Sequence, residues 1–203
     1  MVGKTAGSWV RRLGCLAGAF ALFACGGQSL TFGDGGAPVG TGPSASVGVA
    51  CVPTQEKQAS YGGSTAGEVS FESGNPTCGA TDVCLRNHFE GRTSCPYGGP
   101  PGTCTVSGTD APVTASVSPQ CTDRRPADAV YCSCRCANAG GRTDDGASYC
   151  TCPESFVCTQ LASPIGQPPA EDTSGAYCVK PQTAYNPIGS CSAHCDPASH
   201  PCP

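Results

Sequence analysis

The hydrophobic positions of this chain are few and unevenly placed. Leu13 to Ala24 is an unbroken 12-residue apolar run following a basic stretch with Lys4, Arg11 and Arg12. From Cys51 onward the strong hydrophobes are nine Val, two Leu, two Ile and three Phe, or 16 in 153 residues. Their pattern predicts short strands. Glu68 to Glu72 alternates polar and apolar residues, as a half-buried strand does. Ala129 to Ala137 and Ala147 to Cys152 read as two strands of a hairpin, joined by the turn-rich Asn138 to Gly146. Helical periodicity is not sustained anywhere, and Thr81 to Phe89 is expected to form one or two helical turns. Thr105 to Gln120 reads as a linker or long loop with one short Val-rich strand. Tyr precedes Cys at Cys132, Cys150 and Cys178, a weak internal echo that puts the first two on facing strands.

So sparse a set of hydrophobes cannot offset the entropy of ordering a chain of this length. Cysteine supplies what the core lacks. Beyond Cys15 and Cys25 the chain has Cys51, Cys78, Cys84, Cys95, Cys104, Cys121, Cys132, Cys134, Cys136, Cys150, Cys152, Cys158, Cys178, Cys191, Cys195 and Cys202. Sixteen is an even number, so eight disulfides with no thiol left over are expected. This density marks an oxidising, exported setting. The expected fold class is therefore small, disulfide-rich and loop-dominated, with short antiparallel β hairpins and little helix outside the N-terminal segment.

The apolar run is too short to span a bilayer, which takes about 20 residues. A basic start followed by such a run is the pattern of a secretory signal. Leu22-Phe23-Ala24-Cys25 resembles the lipobox of bacterial lipoproteins, with Leu at −3 and a small residue at −1. Phe23 is bulkier than the residue usual at −2. The resemblance implies cleavage before Cys25, acylation of Cys25 (a thioether-linked diacylglycerol and an amide-linked fatty acid such as palmitate) and firm membrane attachment, since several acyl chains hold where one is marginal. Gly26 after the cysteine resembles the pattern that sorts such proteins to the bacterial outer membrane. The expected organisation is a signal peptide at 1–24, a Gly/Ser/Pro-rich tether at 25–50, and cysteine-rich regions at 51–121 and 122–203. The first region has six cysteines and the second ten, which permits two separately closed sets.

Processing removes three of the 11 basic residues and leaves 15 acidic ones, for a net charge of −7. An acidic surface without basic clusters excludes nucleic acid as a partner. The membrane is engaged through the lipid anchor, and any protein or glycan ligand is unspecified by the sequence.

No hydrolase elbow, phosphate loop, dinucleotide fingerprint or zinc-protease motif occurs. No catalytic, cofactor or metal residue is therefore assigned, no cofactor is expected, and the protein is read as a non-enzyme. Three segments carry the alternatives. Cys132-Ser133-Cys134-Arg135-Cys136 has a density that suits a soft metal. In a strand, however, alternate residues point to opposite faces, so Cys134 is expected to cross-link on one face and Cys132 and Cys136 on the other. The tail from Cys191 to Cys202 mixes His194 and His200 with cysteine and would make a zinc clip if its thiols were free. His88 is the remaining histidine. Cys95 to Cys104 would close a rigid Pro/Gly loop presenting Tyr97, as in a protease-inhibitor-like module. Cys150 to Cys158 resembles the end of an EGF-like module over about 25 residues from Cys136, with a final gap shorter than that family's.

Overall fold

The computed structural model describes residues 44–162, 174–183, 185–199 and 202. Cys15, Cys25, the signal-like segment, most of the expected tether and His200 lie outside them. The element order is a 3-10 turn at Thr54–Lys57, β1 (Val69–Ser73), β2 (Val83–Asn87), α1 (Pro126–Ala129), β3 (Val130–Ser133), β4 (Arg135–Ala137), β5 (Val157–Ala162), β6 (Gly175–Val179) and a 3-10 turn at Pro181–Thr183. Loops dominate, and the strands form two small antiparallel sheets ordered β1-β2-β3 and β4-β6-β5.

The first sheet has two chemically different faces, fixed by its register. Phe71, Leu85 and Tyr131 lie in one cross-strand row. Leu85 and Tyr131 are fully buried there with Val179, against half-buried Val69, Phe156 and Leu161. One residue along, Cys84 faces Cys132, and both bridge outward, to Cys51 and Cys78. The alternation of a strand thus gives this sheet one aromatic face and one disulfide face.

The chain leaves β3 for the second sheet at Cys134. Ser133 Oγ donates to the Cys178 carbonyl at 2.8 Å and the Cys178 amide to the Cys134 carbonyl at 3.2 Å. Phe71 stacks on Tyr177 at 4.3 Å, and the Lys180 amide donates to the Tyr131 hydroxyl at 3.0 Å. Burial raises the pKa of that Tyr131 hydroxyl.

All sixteen cysteines from Cys51 onward stand in eight pairs: 51–84, 78–132, 95–104, 121–191, 134–150, 136–158, 152–178 and 195–202. Cys78–Cys132 and Cys121–Cys191 join the expected first and second cysteine regions, so the sets of six and ten are not closed separately.

Buried arginines supplement the small core. Arg92 is 0% exposed and donates to the carbonyls of Tyr61 (2.6 Å), Gln58 (3.2 Å) and Glu56. Arg124 donates to the carbonyls of His88 (3.2 Å), Asn87 and Thr183. Burial lowers the Arg124 pKa, partly opposed by Asp123. Glu56 is buried too, and its carboxylate accepts from the amides and hydroxyls of Thr93 and Ser94. A fork of fixed N–H donors can tie several loop carbonyls at once, which suits a fold whose backbone is mostly outside ladders.

Several expectations are corrected. Residues 44–50 are not free tether. The Gly48 amide donates to the Cys132 carbonyl and the Cys132 amide to the Val49 carbonyl, both at 2.8 Å, and Ala50 bridges Tyr131. Ser44 and Ser46 donate to Asp82. Gly48 has φ +91°, and a Cβ there would stand 2.8 Å from the Phe156 ring, so the strap needs glycine at its crossing point.

Residues 83–87 form a strand rather than helical turns, because Val83 to Arg86 lie in the centre of the sheet with β-compatible burial on both faces. The hairpin between 129–137 and 147–152 is also not found. β3 pairs with β2, and β4 pairs with β6, whose Gly175–Val179 backbone is buried throughout. In the 147–152 segment the Cys150 amide donates to the Arg135 carbonyl at 3.0 Å. The intervening loop satisfies itself instead: Asn138 accepts from the Gly140 and Arg142 amides, and Asp145 accepts from Asn138, Ala147 and Tyr149. Tyr131-Cys132 and Tyr149-Cys150 therefore do not face one another as strands. Residues 105–120 contain no named strand, but Val106, Val113 and Val117 bury against Cys95 and Cys104, so the segment is packed rather than a linker.

Candidate functional site

The three segments singled out by sequence have different fates. Cys132, Cys134 and Cys136 take three separate partners: Cys78, Cys150 and Cys158. The expected division of faces fails, because Cys134 and Cys136 share one buried cluster and Cys132 belongs to another. The chain changes sheet between Cys132 and Cys136, so strand alternation does not run through the motif. Cys95 and Cys104 pair and close their loop. Tyr97 is 41% exposed, yet its hydroxyl donates to the Cys202 carbonyl at 3.0 Å and so fastens the C-terminal segment. His88 stacks on Tyr185 at 3.9 Å, and burial lowers its pKa.

The tail is where distant parts of the chain meet. Cys121 and His194 form an isolated antiparallel bridge, flanked by bonds from the Thr122 amide to the Ala193 carbonyl (3.1 Å) and from the Cys195 amide to the Gln120 carbonyl (2.8 Å). The Cys191 amide donates to Asp123 at 3.2 Å. On the opposite side Ser64 and Gly91 exchange backbone bonds at 3.0 and 2.9 Å, which sets the position of Glu90. Gly91 has φ +79°, and a Cβ there would lie 2.3 Å from the Ser118 carbonyl, so this turn sits directly on the segment leading to Cys121.

These frames bring four ligand-type atoms together. Glu90 Oε2 lies 3.4 Å from Cys121 Sγ, 3.2 Å from Cys191 Sγ and 3.8 Å from His194 Nδ1. All four groups lie within 4.8 Å of one another. Cys121 is fully buried, Glu90 and Cys191 are partly buried, and His194 is half exposed. Sequence reading found His194 and Cys191 but missed Glu90 and Cys121. Nothing in the local sequence around either residue signals the convergence, in which Glu90 meets residues 31 (Cys121), 101 (Cys191) and, from 194 − 90, 104 (His194) positions away.

The other close groups among the described residues, 51/78/84, 134/150/178 and 136/152/158, contain cysteine alone. Each is one complete pair with a sulfur of a neighbouring pair. No helix among the described residues is long and apolar enough to cross a membrane.

Comparison with known proteins found no matching family model, no matching curated protein and no matching solved structure.

Proposed function

We propose that the chain is an exported lipoprotein of the bacterial cell envelope, held to the outer membrane by acylated Cys25, with a non-catalytic binding, adhesion or structural role. The observation that carries this reading is the use of the cysteines. Every cysteine from Cys51 onward has a partner cysteine, which leaves Cys15 and Cys25, and Cys25 alone stands at the lipobox position. Eight cross-links suit an oxidising compartment and a domain that has to persist outside the cytoplasm. With 44–50 bonded to the domain, the tether of this reading is residues 26–43. Tyr97 in its closed loop and half-exposed Val157 are apolar surface of modest extent, and a protein or glycan partner is the class of ligand proposed.

The test is fractionation of wild type and Cys25→Ser together with intact mass. Wild type is expected in the membrane fraction, with a mass that begins at acylated Cys25. Cys25→Ser is expected in the soluble fraction or as an uncleaved precursor. Normal processing and unchanged membrane association of the variant would remove the anchor from this reading.

A further inference from the structure

We propose that Glu90, Cys121, Cys191 and His194 form a site for one borderline-soft divalent cation, with zinc the reference ion, occupied when Cys121 and Cys191 are thiols. The inference does not depend on the lipid anchor. Zinc bonds of about 2.0 Å to nitrogen and oxygen and about 2.3 Å to sulfur give tetrahedral ligand edges of about 3.3–3.8 Å. With Cys121 and Cys191 bonded to each other, Glu90 Oε2 already stands 3.2 and 3.4 Å from the two sulfurs and 3.8 Å from His194 Nδ1, so the edge that has to open for the ion is the one between the sulfurs.

Two thiolates, an imidazole and a carboxylate select zinc-like ions over magnesium or calcium, which take oxygen ligands. The backbone frame is in place without the ion: the Cys121–His194 bridge holds two ligands and the Ser64–Gly91 pair holds the turn that carries Glu90. Of the four groups, His194 is half exposed and Cys121 fully buried.

The pair Cys121 and Cys191 then has two fates. As thiols they bind the cation, and each gives up one proton on forming its metal bond. In the other fate they exchange with an external disulfide: the two sulfurs bond to each other, lose two electrons and two protons, and leave two external thiols. Among the described residues, the sulfurs of the remaining seven pairs are not grouped with a histidine or a carboxylate.

The experiment uses the purified full chain. A dithiol reductant is added in stepwise equivalents, differential alkylation maps which pair opens, and zinc alone is then titrated in with native mass as the readout. Zinc is added at the first equivalent at which the alkylation map shows Cys121–Cys191 open. One zinc per chain should then bind, with loss of two protons and protection of both thiols from alkylation. His194→Ala and Glu90→Gln are each expected to weaken zinc at least tenfold, while His88→Gln leaves it unchanged. The proposal is overturned if the opened pair retains no zinc. It is overturned equally by zinc affinity unchanged in both ligand variants.

Discussion

If cross-links rather than a core hold this domain, the cost of removing a pair should follow the length of chain it closes. Cys78–Cys132 spans 54 residues and Cys95–Cys104 spans 9. In the loop-closure treatment these lengths correspond to about 4 and about 2.6 kcal/mol at 25 °C. The Cys95–Cys104 bridge lies inside the longer loop and shortens its effective length by less than a fifth, which changes the logarithm little. All four cysteines are at least 92% buried, so truncation to alanine removes comparable packing at both places and cancels in the comparison. The double variant Cys78→Ala/Cys132→Ala should therefore be less stable than Cys95→Ala/Cys104→Ala by about 1.5 kcal/mol. In a domain of this size that is a difference in Tm of about 3–6 °C. Non-reducing calorimetry supplies the Tm values, and urea unfolding checks that each variant still unfolds in one cooperative step. Equal losses, or a larger loss for the short loop, would refute the argument and move the stabilisation to local packing around each bridge.

Arg124→Met should cost at least about 3 kcal/mol, because the carbonyls of Asn87, His88 and Thr183 lose their donor in a buried setting. Arg124→Lys should recover little of it, since an ammonium cannot reach three separated carbonyls as a fork does; urea midpoints of the two variants decide this. The loop at 138–149 should be sensitive to acid. Bonds from Asn138, Tyr149 and the Ala147 amide pull the Asp145 pKa from 3.8 to about 2. A carboxylate lowered in the folded state contributes order that is complete above pH 3.8 and is lost as pH falls towards 2. NMR titration should place the Asp145 midpoint near the lower value, and Asn138→Ala should move it back towards the higher one.

The legible part of this fold was what composition and local alternation control. Sixteen hydrophobes in 153 residues against 16 cysteines already required a cross-linked, loop-rich, β-containing domain. Glu68 to Glu72 overlaps β1, whose residues Val69 to Glu72 are only partly buried, so polar and apolar residues still alternate along it. β2 was misread for the opposite reason. It lies in the middle of its sheet, Arg86 is among its buried residues, and burial on both faces erases the period of two. β5 and β6 carried too little signal to be noticed. β6 took the place of the expected partner for β4 because a fully buried Gly175–Val179 offers more apolar area than the half-exposed 147–152.

The same distinction explains the candidate site. Cysteine count and parity are properties of the chain, and the even set does pair. Which cysteine meets which other is a property of the fold, and two bridges cross the boundary that spacing suggested. The Glu90–Cys121–Cys191–His194 cluster lies wholly in this second category. It is assembled by backbone bonds between Cys121 and His194 and between Ser64 and Gly91, none of which has a local sequence signature. A dense motif such as Cys132 to Cys136 attracts attention as a metal site, yet its sulfurs go to three separate partners as the chain passes from one sheet to the other. The mixed donor set arises where isolated residues of three different loops converge. In a chain stapled this often, ligand chemistry is to be sought where a bridge is met by a carboxylate and an imidazole, rather than where cysteines are densest in sequence.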